Sequence, residues 1–384
     1  SYLNEWGVCI ASDNCPSRED NPDITDGGIS YMLRRLVAER AKTAREGVLI
    51  AGKLVERFGY DASGRTYTIC DPDEGWLFCA VNGKHWLAKR VQDNEVAVIA
   101  NTYTVREVDL SDSRNLLASR DIIEYAVSRE WYDPENDGPF DFAAVYANPR
   151  VASDSSNICR QWGGLRHISS EPIPLDTKLP FSVIPKCKLD VAAVMKILRD
   201  HYEDTELYDS PPESGNPHEA GVRTICAFST QTSFVAQLRK NMPLDIGIVY
   251  WVCLSTPCTS CFTPFHFGIT EFPSGFSSTG GSPSEELYRA KIESPFEVDT
   301  LEAFWTFKNF QQKIDPAYGT KIASIKDKMV VIEEHAMKIQ DQVEENALKL
   351  YTTDRVAASE MLFDYSNGVY HSAMEAMREV LSGK

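Results

Sequence analysis

Apolar residues along this chain fall into two blocks of strand-like runs, each flanked by stretches with helical spacing. Residues 6–12 (Trp6-Gly7-Val8-Cys9-Ile10-Ala11-Ser12) predict a buried strand, stopped by Asp13-Asn14-Cys15-Pro16. A helix is expected over 29–41 and a second over 43–58. In the second, Thr43 caps the start, Glu46 follows three residues later, and Val48, Ala51, Val55 and Phe58 trace one apolar face before Gly59. An antiparallel meander follows, with strands at 65–70, 76–81, 85–91 and 95–100. Asn82-Gly83 marks a tight hairpin between the second and third. Val96-Ala97-Val98-Ile99-Ala100 has no polar alternation, so that strand should be covered on both faces.

Residues 112–170 read as short helices and loops, one of them over 121–131, and 189–201 as an amphipathic helix. A second strand block is expected at 223–229, 233–238, 246–254 and 262–269. The Gly/Ser/Pro-rich stretch 273–285 reads as a linker, and from about residue 287 the spacing is helical to the end. The expected architecture is α+β, with helices outside two stacked sheets. A generic α+β enzyme fits the same pattern. The expected division is a main domain over 1–285 and a helical C-terminal region over 286–384.

With 384 residues, 43% of them hydrophobic and 10% aromatic, the chain can bury a large core. Its net charge of −17 argues against a nucleic-acid partner, because phosphate binding needs clustered Lys and Arg. No run of 18 apolar residues is present, so no membrane-spanning helix is expected.

Most of the ten cysteines sit in apolar runs and read as buried reduced thiols, which favours a cytoplasmic setting. Cys258 and Cys261 form one C-x-x-C, but no second pair and no His pair close by in sequence completes a zinc site. No metal or organic cofactor is expected. Of seven scattered histidines, His201 at a helix end is the most suggestive. The sequence has no G-x-S-x-G elbow, P-loop, G-x-G-x-x-G after a strand, or H-E-x-x-H. What remains is polar residues just past buried strands, Asn14 and Asn101. An amide there can donate to a developing oxyanion, although Asn after a strand is also an ordinary turn former.

Leu3-Asn4-Glu5-Trp6-Gly7-Val8, followed by Asn14 and Pro16, resembles the Asn-Glu-x-Gly segment of N-terminal-nucleophile cysteine amidohydrolases such as bile-salt hydrolases and penicillin V acylases. Val98-Ile99-Ala100-Asn101-Thr102 resembles their second Asn-bearing strand end. The closer resemblance is to dipeptidase A-type cysteine dipeptidases and their secernin relatives. It is carried by Asp26-Gly27-Gly28-Ile29, Asp71-Pro72-Asp73-Glu74-Gly75-Trp76-Leu77, Arg199-Asp200-His201-Tyr202-Glu203 and Arg223-Thr224-Ile225-Cys226 leading to Ser229-Thr230-Gln231. Phe304-Trp305 and Tyr365-Ser366-Asn367 extend it into the helical tail.

The resemblance implies a four-layer αββα N-terminal-nucleophile sandwich with a helical extension. It implies dipeptide substrates, with a homo-oligomer left open. The nucleophile would be an N-terminal Cys whose own amine is the base. Asn14 and Asn101 would hold the oxyanion, and Arg223 and Gln231 are further candidates. A supporting Arg is also implied, without a clear position. In that family the Cys precedes the Asn-Glu-x-Gly segment, whereas here only Ser1 and Tyr2 precede it, so the nucleophile is expected outside this chain. The alternatives are an acylase-type amidase and a non-catalytic secernin-like body.

Overall fold

The meander forms around the uninterrupted apolar run 76–81, bounded by turn residues, which suits a strand covered on both faces. In a computed structural model describing residues 1–176, 178–219, 221–276 and 302–382, these residues build the centre of a six-stranded sheet. Its strands are β1 (Tyr2–Leu3), β2 (Cys9–Asn14), β3 (Tyr60–Cys70), β4 (Gly75–Gly83), β5 (Trp86–Arg90) and β7 (Leu116–Ala118), paired in that order and antiparallel throughout. A two-residue strand, β6 (Val96–Ala97), pairs elsewhere with β8 (Ser182–Val183).

On β4, Trp76, Phe78 and Ala80 point to one core and Leu77, Cys79 and Val81 to another. The first core is closed by helices α1 (Met32–Ala38) and α2 (Ala44–Phe58), through Leu33, Val37, Val48, Ala51 and Val55. The second is closed by α3 (Ile122–Ser128) and the aromatic group Tyr103, Phe140, Phe142 and Tyr146.

The Thr43 cap forms as expected, accepting from the Glu46 N–H at 3.1 Å. Glu46 reaches back to the Lys42 N–H at 2.9 Å rather than to the cap residue itself. α2 approaches the sheet closely at Gly52, where an added Cβ would lie 2.3 Å from the Trp86 ring. Trp86 is held by its Nε1 donating to Glu56 at 2.9 Å, so the ring has little room to move. Gly52→Ala should therefore lower unfolding free energy by about 1–3 kcal/mol despite its better helix propensity. The urea unfolding midpoint checks this, and an unchanged or raised midpoint would show that the ring yields.

Two sequence expectations change. Residues 96–100 are not a strand buried on both faces. Only Val96–Ala97 pairs, and 96–99 are half-buried. The strand covered on both faces is β4, because its neighbours β3 and β5 place it at the sheet centre. The hairpin at Asn82-Gly83 forms between β4 and β5 as expected, its loop closed by the Val81 N–H on the His85 carbonyl at 3.0 Å, and Gly83 also pairs with Tyr60 of β3. Residues 223–229 are not a strand. They are held instead by Thr224 Oγ1 donating to the Cys226 carbonyl at 2.6 Å and by the Cys226 N–H donating to the distant Asp200 carbonyl at 3.1 Å.

The chain divides into two compact units, Ser1–Leu189 and Asp190–Lys384. The boundary drawn from sequence at 285/286 lies outside the described residues, as does most of the expected linker. The second unit holds a three-stranded antiparallel sheet of β9 (Thr232–Leu238), β10 (Ile248–Leu254) and β11 (Thr263–His266), with β10 central. The expected helices are present: α5 (Val191–Leu198), capped by Asp190, then α6 (Ala303–Ile314), α7 (Tyr318–Tyr351) and α8 (Arg355–Ser382). Val249, Trp251 and Cys253 of β10 pack with Val191 and Met195 of α5, Ala336 of α7, and Tyr365 and Val369 of α8. No helix among the described residues is long and apolar enough to cross a membrane.

Candidate active site

The two asparagines singled out from sequence come together. β2 runs against β3 to its last residue, Asn14, which pairs with Arg65. The next turn is set by Gly64, at φ +128, whose carbonyl accepts from the Cys15 N–H at 3.2 Å. A Cβ at Gly64 would meet the Cys15 carbonyl and the Tyr103 hydroxyl, each at 2.5 Å, so this turn requires glycine. The Cys15 thiol points inward toward the Ala100 carbonyl, 3.7 Å away. Beside that contact, Asn101 Nδ2 donates to the Asn14 carbonyl at 2.9 Å.

A helix, α4 (Ser155–Ile168), fixes how Asn101 faces. Asp154 caps it, accepting from the Ser156 N–H at 2.8 Å. Asn157 and Arg160 stand on one face, three residues apart. Arg160 donates to Asn101 Oδ1 at 3.0 Å and to Asn157 Oδ1 at 2.6 Å, and Asn157 Oδ1 also accepts the Asn101 N–H at 3.2 Å. With Oδ1 committed to a guanidinium, the Asn101 amide must turn its N–H groups the other way. One of the two goes to Asn14. The helix comes this close because Gly164 meets Val98, where an added Cβ would be 2.7 Å from a valine methyl. Asn14 is exposed, and its Oδ1 accepts from Ser63 Oγ at 3.2 Å, which turns its amide N–H groups outward.

Asp13 stands beside this pair. Burial pushes its carboxyl up to about 6, against the pull of Arg160 and Arg65. A carboxyl whose folded pKa exceeds its unfolded value binds its proton more tightly when folded. Its contribution to stability is therefore complete below about pH 4 and is lost as pH rises through about 6. Asp13→Asn should stabilise the fold at pH 7 relative to the parent and lose that advantage at pH 4, as read by urea unfolding at both pH values. Equal differences at the two pH values would remove Asp13 as the cause.

The thiols near this site are not poised as nucleophiles. Burial pushes Cys15 up to about 12 and Cys79 higher still. Neutral solution therefore holds almost none of the reactive thiolate. Arg223 and Gln231 lie in the second unit with exposed side chains. Their backbone carbonyls accept from the Tyr202 hydroxyl at 2.9 Å and the Ser255 N–H at 2.6 Å.

Asp13, Asn157 and Arg160 are absent from the sequence reading of the site. The one available signal is the Asn157-x-x-Arg160 spacing behind an Asp154 cap, which puts both side chains on one helix face.

Among curated proteins, the chain is 30% identical over 260 residues to a probable dipeptidase of Salmonella dublin, covering 66% of this chain and 59% of that protein. It is 28% identical over 301 residues to a probable dipeptidase of Latilactobacillus sakei, covering 78% and 60%. It is 24% identical over 377 residues to probable dipeptidase B of Streptococcus pyogenes serotype M1, covering 93% and 71%. The chain thus spans about three fifths of the length of the first two relatives. Residues 18–329 match peptidase family C69, which takes in the second strand end, the helix that orients it and most of the second unit, and the chain belongs to that family.

Proposed function

We propose that the complete protein is a cysteine dipeptidase in which Asn14 and Asn101 hold the tetrahedral oxyanion and an N-terminal Cys outside these 384 residues is the nucleophile. The observation that carries this reading is the bond from Asn101 Nδ2 to the Asn14 carbonyl, with Arg160 locking the Asn101 amide. Two neutral amides, Asn14 at the end of β2 and Asn101 bonded beside it, can offer their remaining N–H groups to negative charge as it develops, without forming a salt with it beforehand. Arg160 then serves as a positioning residue for Asn101.

The nucleophile would be a thiolate whose own α-amine, with an unperturbed pKa near 8, takes the proton. The high thiol pKa of Cys15 argues against that thiol as the nucleophile. The fold proposed with this chemistry is the αββα N-terminal-nucleophile sandwich over 1–285, with a helical extension over 286–384. Its support is that each compact unit carries an antiparallel sheet with helices against it.

The test is to assay the complete gene product on a panel of dipeptides and on bile-salt and penicillin V amides. Turnover of several dipeptides is expected. Clear acylase turnover without dipeptide turnover would replace the reading with the amidase one, and no turnover of either class would favour a non-catalytic body.

A further inference from the structure

In the second unit the fold gathers four side chains that are far apart in sequence. His201 Nε2 lies 3.1 Å from His218 Nε2, which lies 3.6 Å from Cys226 Sγ and 3.5 Å from Cys258 Sγ. All four donor atoms fall within 4.8 Å of one another. Zinc bonds of about 2.0–2.1 Å to nitrogen and 2.3 Å to sulfur, set tetrahedrally, require edges of about 3.3 Å between nitrogens and about 3.6 Å between nitrogen and sulfur. The three separations that meet at His218 Nε2 match those edges to within about 0.2 Å.

We propose that His201, His218, Cys226 and Cys258 form a structural zinc site that fastens three loops of the second unit. The donor set itself is the first argument. Two thiolates and two neutral imidazoles cancel the charge of a dication, so the filled site is neutral, as a buried position needs. Binding releases one proton from each thiol to solvent, and each sulfur lone pair forms the metal bond.

The surroundings are the second argument. His201 Nδ1 lies 3.1 Å from Glu203 Oε1, and the His201 N–H donates to Glu203 Oε2 at 2.8 Å. A carboxylate on Nδ1 leaves Nε2 as the metal-facing lone pair, the usual outer partner of a ligating histidine. The backbone is forced into shape here, since Tyr202 (φ 68) and Asp204 (φ 63) both adopt the left-handed region. The Cys226 N–H ties to the Asp200 carbonyl, and Arg199 Nε donates to the Pro257 carbonyl at 2.8 Å, just before Cys258. Tyr318 packs edge-on against both imidazoles.

The same groups could be read as a Cys258–His201–Glu203 nucleophilic triad. Burial argues against it, because Cys258 is 2% exposed and the His201 side chain 0%, which leaves a substrate no access. Cys261, the other half of the C-x-x-C, stands outside the cluster, its thiol directed at the Phe262 carbonyl.

The test is elemental analysis of the 384-residue chain purified without chelator, then dialysed against zinc and re-measured. About one zinc per chain is expected, with retention falling at least fivefold in Cys258→Ser and in His218→Ala, and unchanged in Cys261→Ser. Cobalt(II) exchanged into the unmutated chain should give the intense visible bands of a tetrahedral thiolate site, a readout that does not depend on any variant folding. Failure of the chain to retain zinc or to give those bands would overturn the proposal. So would loss of metal in Cys261→Ser equal to that in Cys258→Ser, or an intact mass showing a Cys226–Cys258 disulfide in the purified chain. The failure of dipeptidase activity would leave this test untouched, because it reads metal and not turnover.

Discussion

Asn14→Ala in the complete protein is expected to lower kcat by roughly 10²- to 10³-fold, the scale for removing one oxyanion donor. The fold should hardly notice. The Asn14 side chain is exposed, and the bond that joins it to Asn101 uses its backbone carbonyl, which alanine keeps. Only Ser63 Oγ loses an acceptor, and water can replace it at an exposed position. A loss in kcat with an unchanged unfolding midpoint therefore separates catalysis from structure. Near-normal kcat in the folded variant would remove Asn14 from the mechanism. Asn101→Ala is a less clean variant, since it also strips Arg160 of an acceptor and breaks the link to Asn14.

Glu333→Ala should lower unfolding free energy by about 3–5 kcal/mol, the range for breaking a buried ion pair on one side. Glu333 accepts two bonds from Arg199, at 2.6 and 2.8 Å, and the Phe262 N–H at 2.7 Å. Its side chain is 3% exposed and that of Arg199 14%. Alanine would leave a guanidinium and a backbone N–H without their acceptor in a dry setting. Urea unfolding followed by tryptophan fluorescence reads the loss, and Glu333→Gln should recover part of it because one oxygen remains. A loss below about 1 kcal/mol would mean that water reaches Arg199 and screens it as at a surface. The same guanidinium grips the Pro257 and Ser260 carbonyls, so Glu333→Ala should also loosen the turn that carries Cys258.

Sequence by itself determined the elements whose residues contact mainly their neighbours. The Thr43 cap, the apolar face of α2 and the long C-terminal helices are local, because a 3.6-residue period and a cap hydrogen bond span only a few positions. Asn14 and Asn101 were legible as candidates, since each ends an apolar run at a breaker. The tertiary structure decided everything that needs two distant segments at once. Nothing in residues 96–100 says that β4, and not they, would sit at the sheet centre, because that depends on which strands flank each run. Glu333 and Glu344 on α7 are buried because arginines from elsewhere in the unit pair with them, which no local pattern specifies. Arg160 meets Asn101 across 59 residues, and His218 meets Cys258 across 40. Separations of that size carry no periodic signal, because a pair is specified only when packing brings the two elements together.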